Sequence, residues 1–159
     1  MAKKKILVVE DDRDISELIT YNLEREGYEI ACLYDGSQAV DFVHKRKPEL
    51  IILDLMLPEV DGLEICRQLK SDTTTKHIPI VMLTAKSEEA DVVVGLQMGA
   101  DDYIPKPFSP KVLVARIKAI TRRMADIQQS SALSSASWAF NIFFSLSSAS
   151  FFSFKRSFS

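Results

Sequence analysis

The sequence predicts an α/β domain in which a parallel sheet of five strands is covered by helices on both faces. Segments typical of strands and segments typical of helices alternate five times between residues 4 and 124. The strand segments are short apolar runs, as in parallel strands that are buried on both faces. Alternation of this kind favours an open sheet in which each helix connects two parallel strands.

Five short runs of the sequence are predicted to be strands. The first, "KILVV", is apolar and rich in β-branched residues, as a buried parallel strand would be. The third, "ELIIL", is the most continuously apolar of the five. The predicted strands cover residues 5–9, 28–33, 49–53, 78–83 and 102–104.

One helix is predicted after each strand. The first begins near Ile15 and ends at Gly27, because glycine is common just past a helix C-terminus. The last begins with Ser109 at the N-cap and Pro110 at the first helical position, where both residues are favoured. Three consecutive valines and a glycine weaken the helical pattern of the fourth. The second to fifth helices cover residues 37–47, 62–72, 88–99 and 109–123.

Polar side chains follow four of the predicted strands. In open parallel sheets the ligand site lies at the carboxyl ends of the strands, so we expect these side chains to converge at one edge. They follow strands one, three, four and five. In chain order they are Glu10, Asp11, Asp12, Asp54, Thr84 and Lys106.

This set of groups suits phosphoryl transfer to a carboxylate. Asp11 and Asp54, with help from Asp12, offer the hard oxygen ligands that Mg²⁺ takes, and the metal would draw charge off a phosphoryl group. Asp54 would be the nucleophile. Lys106 and Thr84 would each contact a phosphoryl oxygen. Adjacent acids after a strand can also simply complement a helix dipole, so the conjunction of all these groups carries the prediction.

Five stretches of the sequence resemble the receiver domain of bacterial two-component response regulators. The resemblance spans residues 4 to about 124 and looks most like the OmpR/PhoB subfamily, whose members usually carry a winged-helix DNA-binding domain after the receiver. It implies the flavodoxin-like (CheY-like) fold, a doubly wound sheet with the strand order 2-1-3-4-5. The stretches are "VVEDD" (8–12), "LDLMLPEVDG" (53–62), "MLTA" (82–85), "GADDYIPKPF" (99–108) and "ARIKAITRR" (115–123).

The resemblance implies that Asp54 accepts a phosphoryl group from a phosphohistidine on a partner sensor histidine kinase. Asp11 and Asp54 would bind Mg²⁺ directly, together with the backbone carbonyl of Met56. Asp12 would act through a metal-bound water. Mg²⁺-dependent self-phosphorylation and slow autodephosphorylation would be the only reactions of such a chain, so we do not expect a turnover enzyme.

The resemblance also implies a switch. Thr84 and Tyr103 would form its two parts: phosphorylation draws the Thr84 hydroxyl inward, and the Tyr103 ring follows into the vacated space. Lys106 would contact the phosphoryl group, and the Lys106–Pro107 peptide bond is expected to be cis.

A two-fold homodimer formed on phosphorylation is a further implication. It would use the fourth helix, the fifth strand and the fifth helix (the α4–β5–α5 face). Val92 and Val112 stand where relatives often carry a basic and an acidic residue that pair across the dimer. An apolar contact would replace that salt bridge, which is often neutral for stability. The matching charged positions are Asp101, Asp102, Arg116 and Lys118.

Composition gives no reason to expect direct binding of nucleic acid or of an anionic membrane, because the net charge is only −2 and no polybasic block is present. Cys32 and Cys66 are isolated from each other and from any histidine. Together with the lack of a signal peptide, this favours reduced thiols and a cytoplasmic protein.

The C-terminal extension (residues 127–159) differs from the receiver-like part (residues 1–126). It is rich in Ser and Phe and carries no charge from Ile127 to Phe154. We expect it not to be a functional domain, although a docking or dimerising helix and a membrane anchor are alternatives. It is too short for a winged-helix domain. The chain is therefore expected to be an isolated receiver, acting as a protein–protein interaction module, or a truncated regulator.

Two other classes of protein share parts of this pattern. A haloacid-dehalogenase-type phosphatase also uses an Asp nucleophile and Mg²⁺, but in a DxD motif after the first strand, where this chain has "EDD". A flavin-binding module of the same topology would need a Ser/Thr/Gly-rich phosphate loop at that place. Both classes fit the sequence less well than a receiver.

Overall fold

A computed structural model of the protein describes residues 2–85 and 89–130, except for the side chains of residues 89–92. The chain divides into two compact units, Met1–Ile120 and Thr121–Ser159. In the second unit the described residues, 121–130, are helical, so helical structure continues past the predicted end at residue 123. The predicted domain boundary after residue 126 stays a prediction, and residues 131–159 of the C-terminal extension lie outside the described part.

The first unit contains a sheet of five parallel strands in the order β2-β1-β3-β4-β5. The predicted fold class and strand order are therefore confirmed. The strands are β1 (Lys5–Val9), β2 (Glu29–Leu33), β3 (Leu50–Asp54), β4 (Ile80–Ala85) and β5 (Asp102–Lys106).

Helices connect the strands, and a short 3₁₀ turn at Gly36–Gln38 precedes the second of them. The sequence pattern placed this turn inside the helix. The last helix of the unit, α5, covers residues 110–120 and starts at the predicted Pro110. The other helices are α1 (Arg13–Arg25), α2 (Ala39–Arg46), α3 (Gly62–Ser71) and α4 (Glu89–Gln97).

Strands β3, β4 and β5 end later than predicted, and β2, β3 and β4 also begin later. Asp54 and Lys106 are the last residues of β3 and β5, and Thr84 is the last but one of β4. The reason is pairing between neighbours, because Asp54 stands opposite Leu83, and Lys106 opposite Ala85. The three functional candidates are therefore held by the sheet itself and not by the loops that follow it.

Apolar side chains cover both faces of the sheet. Alternate residues of each strand point to opposite faces, so Leu7 belongs to one apolar layer and Val8 to the other. Helices α2 and α3 complete the first layer, and α1 and α5 complete the second. Among the described residues, no helix is long and apolar enough to cross a bilayer.

Candidate functional site

Asp54 lies at the carboxyl end of the central strand, and only 2% of its surface is exposed. Its Oδ1 accepts a hydrogen bond from the backbone N–H of Met56 at 3.0 Å, and its Oδ2 accepts one from Nζ of Lys106 at 3.2 Å. A buried carboxylate is costly unless it is paired. Both oxygens of Asp54 have a donor, which accounts for the single acid in this apolar run.

Two further carboxylates lie beside Asp54. Oxygen atoms of Glu10, Asp11 and Asp54 all lie within 4.8 Å of one another. Glu10 is fully buried, whereas Asp11 is exposed. The strand register explains the arrangement: Val9 pairs with Leu53 in the parallel β1–β3 ladder, so the next residues, Glu10 and Asp54, stand side by side.

Glu10 is a buried member of the acid cluster to which the sequence predictions gave no role. It was recognised as one of the acids after β1, but its neighbours Asp11 and Asp12 were given the metal. Its position next to Asp54 in the strand register is the signal that could have identified it. The acid that faces Asp54 across the ladder is the first of the run "EDD".

Lys106 joins the buried acids. Its Nζ lies 2.7 Å from Oε2 of Glu10 and 3.2 Å from Oδ2 of Asp54. Burial raises the pKa of Glu10 to about 7, against the lowering effect of Lys106 and of the Asp12 amide. Burial would lower the pKa of Lys106, but its contacts with Glu10 and Asp54 outweigh burial and raise that pKa. One ammonium thus partly neutralises two acids.

The acid cluster fits a divalent cation. Oε2 of Glu10 is buried, and the partner that the described part of the chain gives it is Nζ of Lys106 at 2.7 Å. That one ammonium is shared with Asp54, so the three acids keep negative charge that a bound cation could neutralise. Three converging carboxylates offer the oxygen ligands that Mg²⁺ takes.

Asp12 has a structural task in the described fold. Its Oδ1 accepts hydrogen bonds from the backbone N–H groups of Asp14 at 2.9 Å and Ile15 at 3.3 Å. It is therefore the N-cap of α1, which satisfies two amides at the start of that helix. Its predicted role at the metal through a water stays a prediction, as does the role of the Met56 carbonyl.

The two predicted parts of the switch lie on neighbouring strands. Thr84 is buried, and its hydroxyl donates a hydrogen bond to the carbonyl of Ala85 at 3.2 Å. Within the described residues no hydrogen bond joins Thr84 to Asp54. The Tyr103 side chain is 37% exposed, and Tyr103 pairs with Met82 in the β4–β5 ladder. The roles of Thr84 and Tyr103 as a switch stay predictions.

The loop from β3 to α3 returns closely to Asp54. A Cβ atom on Gly62 would overlap the carbonyl oxygen of Asp54 and would lie 2.8 Å from Cα of Leu55. Only glycine allows this approach, which brings the start of α3 against the main chain of the site. Asp61 caps the helix by accepting a hydrogen bond from the Leu63 amide at 3.0 Å.

Strand β5 ends at the Lys106–Pro107 peptide bond. This bond is cis, as the resemblance implied.

The charged residues predicted for the dimer face have partners inside the chain. Arg116 contacts Asp102 at 3.0 Å, and Lys118 pairs with Glu26, the C-cap residue of α1. The carboxylate of Asp101 accepts hydrogen bonds from the amide of Ile80 at 2.8 Å and from Lys70 at 3.2 Å.

The two valines predicted for that face differ in what the structure describes. Val112 is 45% exposed. The side chain of Val92 lies outside the described residues. The dimer stays a prediction at all six of these positions.

Comparison with known proteins gives one family over most of the chain. The model of the family described as "Response regulator receiver domain" matches residues 6–118. The signal receiver domain of a signal transduction histidine kinase from Syntrophus aciditrophicus is 40% identical, with a TM-score of 0.68, and the match covers 73% of this chain and 88% of that one.

Two further response regulators have similar structures. Chemotaxis response regulator CheY4 of Vibrio cholerae is 28% identical, with a TM-score of 0.70 and coverage of 75% of this chain and 99% of that one. DrrB, a Thermotoga maritima OmpR/PhoB homolog, is 33% identical, with a TM-score of 0.67, and the match covers 77% of this chain and 54% of DrrB. The BeF₃-activated receiver domain of DrrB alone is 34% identical, with a TM-score of 0.66 and coverage of 76% and 99%.

Proposed function

Because the chain belongs to the family of response regulator receiver domains, we propose that it accepts a phosphoryl group on Asp54 from a sensor histidine kinase. Receiver domains work with histidine kinases in two-component systems, so the general function of the family is phosphorelay signalling. The carrying observation is the arrangement around Asp54: two more carboxylates lie within 4.8 Å of it, and the ammonium of Lys106 lies at 3.2 Å.

The transfer step needs a nucleophile and a cation to receive the phosphoryl charge. An oxygen of Asp54 forms the new bond to phosphorus while the phosphorus–nitrogen bond of the donor phosphohistidine breaks, and the imidazole nitrogen leaves with the electron pair. The Met56 amide and Lys106 hold the two carboxylate oxygens in place before transfer. Lys106 is also placed to pair with an oxygen of the incoming phosphoryl group.

The cofactor in this proposal is Mg²⁺, held by Asp11, Asp54 and Glu10, with the Met56 carbonyl and Asp12 as the further predicted participants. When bound, the ion supplies positive charge that lets an anionic carboxylate approach an anionic phosphoryl group. Lys106 partly neutralises the two buried acids of the site, Glu10 and Asp54, inside the fold.

The proposal also covers the output of the site. Phosphorylation would draw the Thr84 hydroxyl towards the phosphoryl group, and Tyr103 would move inward, which biases a two-state element. The α4–β5–α5 face carries exposed apolar side chains that suit pairing of two copies. Those of α4 outside the predicted set are Val93, Val94 and Leu96, which are 54%, 36% and 43% exposed.

Intact-mass spectrometry after incubation with Mg²⁺ and acetyl phosphate tests the proposal. The expected result is a stable, base-labile gain of one phosphoryl group that Asp54→Asn abolishes. Asp14→Asn is the matched control, because Asp14 is an exposed acid of the first turn of α1, outside the acid cluster. Continuous phosphate release without a stable adduct would instead support a phosphatase and would overturn the proposal.

The metal ligands can be separated from the helix cap. We expect Glu10→Gln and Asp11→Asn to weaken Mg²⁺ binding, measured by the Mg²⁺ concentration at half-maximal phosphorylation rate. Asp12→Asn keeps an N-cap side chain and is expected to weaken it less. An effect of Asp12→Asn larger than that of Glu10→Gln would favour the metal assignment made from the sequence.

A beryllofluoride adduct tests the output. It is expected to raise the dimer fraction in sedimentation velocity, and Val112→Asp should reduce that increase because it places a charge on the exposed apolar face. A dimer that forms equally well with Val112→Asp would place the contact elsewhere on the molecule.

A further inference from the structure

Helix α4 is anchored at its C-terminal end. Gly99 has φ +106°, and the helix ends in a Schellman motif, in which the amide of Ala100 donates to the carbonyl of Gly95 at 3.0 Å and that of Gly99 to Leu96 at 3.1 Å. The next residue, Asp101, is bound to Ile80 at the start of β4 by two hydrogen bonds of 2.8 Å. The end of α4 is thus fixed to the amino end of β4.

Gly95 is the point where α4 rests on β4. A Cβ atom at this position would lie 2.6 Å from Sδ of Met82 and 3.5 Å from Cδ2 of Leu63. Real Cβ atoms do not approach a neighbour so closely, so a larger residue at position 95 must move either the helix or Met82. Met82 is 1% exposed, so its side chain moves less freely than one on the surface, although the Sδ that a new Cβ would meet lies near the flexible end of that side chain.

The contact between Gly95 and Met82, which we call the seat of α4, is linked through β4 to the proposed switch residues. Met82 and Thr84 are two residues apart on β4, so their side chains point to the same face of the sheet. Met82 also pairs with Tyr103 in the β4–β5 ladder. Three residues of sequence separate the end of β4, at Ala85, from the start of α4.

Because α4 is fixed at its C-terminal end, it moves mainly by rotating about that end. Gly95 lies near the anchored end, so a small displacement there moves the opposite end of α4, next to the end of β4, by more. The described arrangement has Thr84 bonded to the Ala85 carbonyl and Tyr103 partly exposed. In the proposed function this is the arrangement before phosphoryl transfer.

We propose that Gly95 is a positioning residue for the switch: its contact with Met82 holds α4 in the position that belongs to the unphosphorylated state. This inference rests on the proposed function of Asp54 and deepens it. A side chain at position 95 should raise the free energy of the seated state and so favour the phosphorylated state. By linkage, a phosphoryl mimic should then bind more tightly.

The test is the dissociation constant of beryllofluoride, with Mg²⁺ in excess, for the full chain and five variants: Gly95→Ala, Gly99→Ala, Met82→Val, and Met82→Val combined with each glycine substitution. Gly95→Ala should tighten binding about fivefold. Met82→Val removes Sδ. The double variant with Gly95→Ala and Met82→Val should therefore bind beryllofluoride about as tightly as Met82→Val alone. Gly99→Ala is the matched control, since it strains the end of the same helix without contacting Met82, and Met82→Val should not rescue it.

The outcomes separate the two proposals. If the unsubstituted chain binds no beryllofluoride, the proposed function fails. If it binds, but Gly95→Ala leaves the affinity unchanged or weaker, only the inference about Gly95 is overturned. Equal effects of Met82→Val on the Gly95→Ala and Gly99→Ala variants would also overturn it, because the effect would then be a general destabilisation.

A second measurement does not depend on the folding of any variant. In the unsubstituted chain, the methyl resonance of Met82 should shift when beryllofluoride is added, because α4 leaves its seat. An unchanged Met82 methyl resonance, with Asp54 fully occupied, would contradict the inference.

Discussion

Helices α3 and α4 both follow Asp54 in the sequence, but they differ in how much of their surface is buried and in the contacts that hold them in place. The buried residues of α3 are Gly62, Ile65, Cys66 and Leu69, and its N-cap is Asp61. In α4, by contrast, Val93 and Leu96 are 54% and 43% exposed. Three consecutive valines and a glycine also give α4 a low intrinsic helix propensity.

The two helices also use glycine differently. Gly62 brings α3 against main-chain atoms of Asp54 and Leu55, whereas Gly95 brings α4 against the side chain of Met82. Main-chain atoms of a central strand cannot move without breaking the sheet, but a methionine can change rotamer. The comparison indicates a rigid side next to Asp54 and a more adjustable side, which in the proposed function would report the state of Asp54.

The largest expected difference between the helices is in core packing. Leu69→Ala in α3 removes a side chain that is 1% exposed and should lower the free energy of unfolding by about 3 kcal/mol. Leu96→Ala in α4 should lower it by less than about 1 kcal/mol, since Leu96 is already partly in water. Urea denaturation measures both. Equal losses would remove the distinction between the helices.

The second contrast is between the two glycines. Gly62→Ala should cost about 2 kcal/mol of stability, because the new methyl group meets backbone atoms. Gly95→Ala should cost less, because Met82 can yield and alanine favours a helix. Thermal unfolding of the two variants, with the phosphorylation rate of Asp54 measured alongside, checks this order. A costlier Gly95→Ala would mean that α4 is the more rigid element.

The start of α3 provides a smaller effect. Asp61→Ala removes the acceptor for the Leu63 amide and should cost about 1 kcal/mol of unfolding free energy. Asp61→Asn, which can still cap, should cost much less. If the alanine and asparagine variants are equally stable in urea denaturation, the cap does not contribute to holding α3.

The smallest expected effect depends on pH. His44 of α2 contacts Asp72, just after α3, at 2.7 Å. The hydrogen bond with Asp72, and that with the Val40 carbonyl, raise the pKa of His44 above its ordinary 6.5. The bond with His44, helped by Thr74, lowers the pKa of Asp72 from 3.8 to about 2. Both residues are exposed, so the gain is small.

The direction of the pH dependence of stability follows from the difference in pKa between the folded and the unfolded state. The contribution of His44 is complete below pH 6.5 and is lost as pH rises through its raised pKa, while that of Asp72 is complete above pH 3.8 and is lost as pH falls towards 2. His44→Gln should therefore lower the melting temperature more at pH 5.5 than at pH 9. A deficit that grows with pH would contradict this assignment.

Much of the fold could be predicted from the sequence, because apolar runs and glycine or proline stops mark each element locally. The predicted boundaries are wrong where residues distant in sequence determine the end of an element. Strands β3 to β5 reach further than their apolar runs because Asp54, Thr84 and Lys106 find partners on neighbouring strands.

Asp11, Asp54 and Lys106 lie close together, as the strand ends predicted, while their roles stay predictions. Glu10 received no role, because neither its burial nor its ion pair with Lys106, which lies far away in sequence, can be seen in the sequence. The cap formed by Asp12 has the same sequence signature as a metal ligand, so only the hydrogen bonds distinguish the two.

Hydrogen–deuterium exchange with and without beryllofluoride tests the central claim most directly, with Asp54→Asn as the control. The account predicts that the amides of α3 exchange at the same rate in both states, while those of α4 change when Asp54 is occupied. No change should occur in Asp54→Asn. A change in α3 as large as that in α4, or a change that persists in Asp54→Asn, would contradict the account.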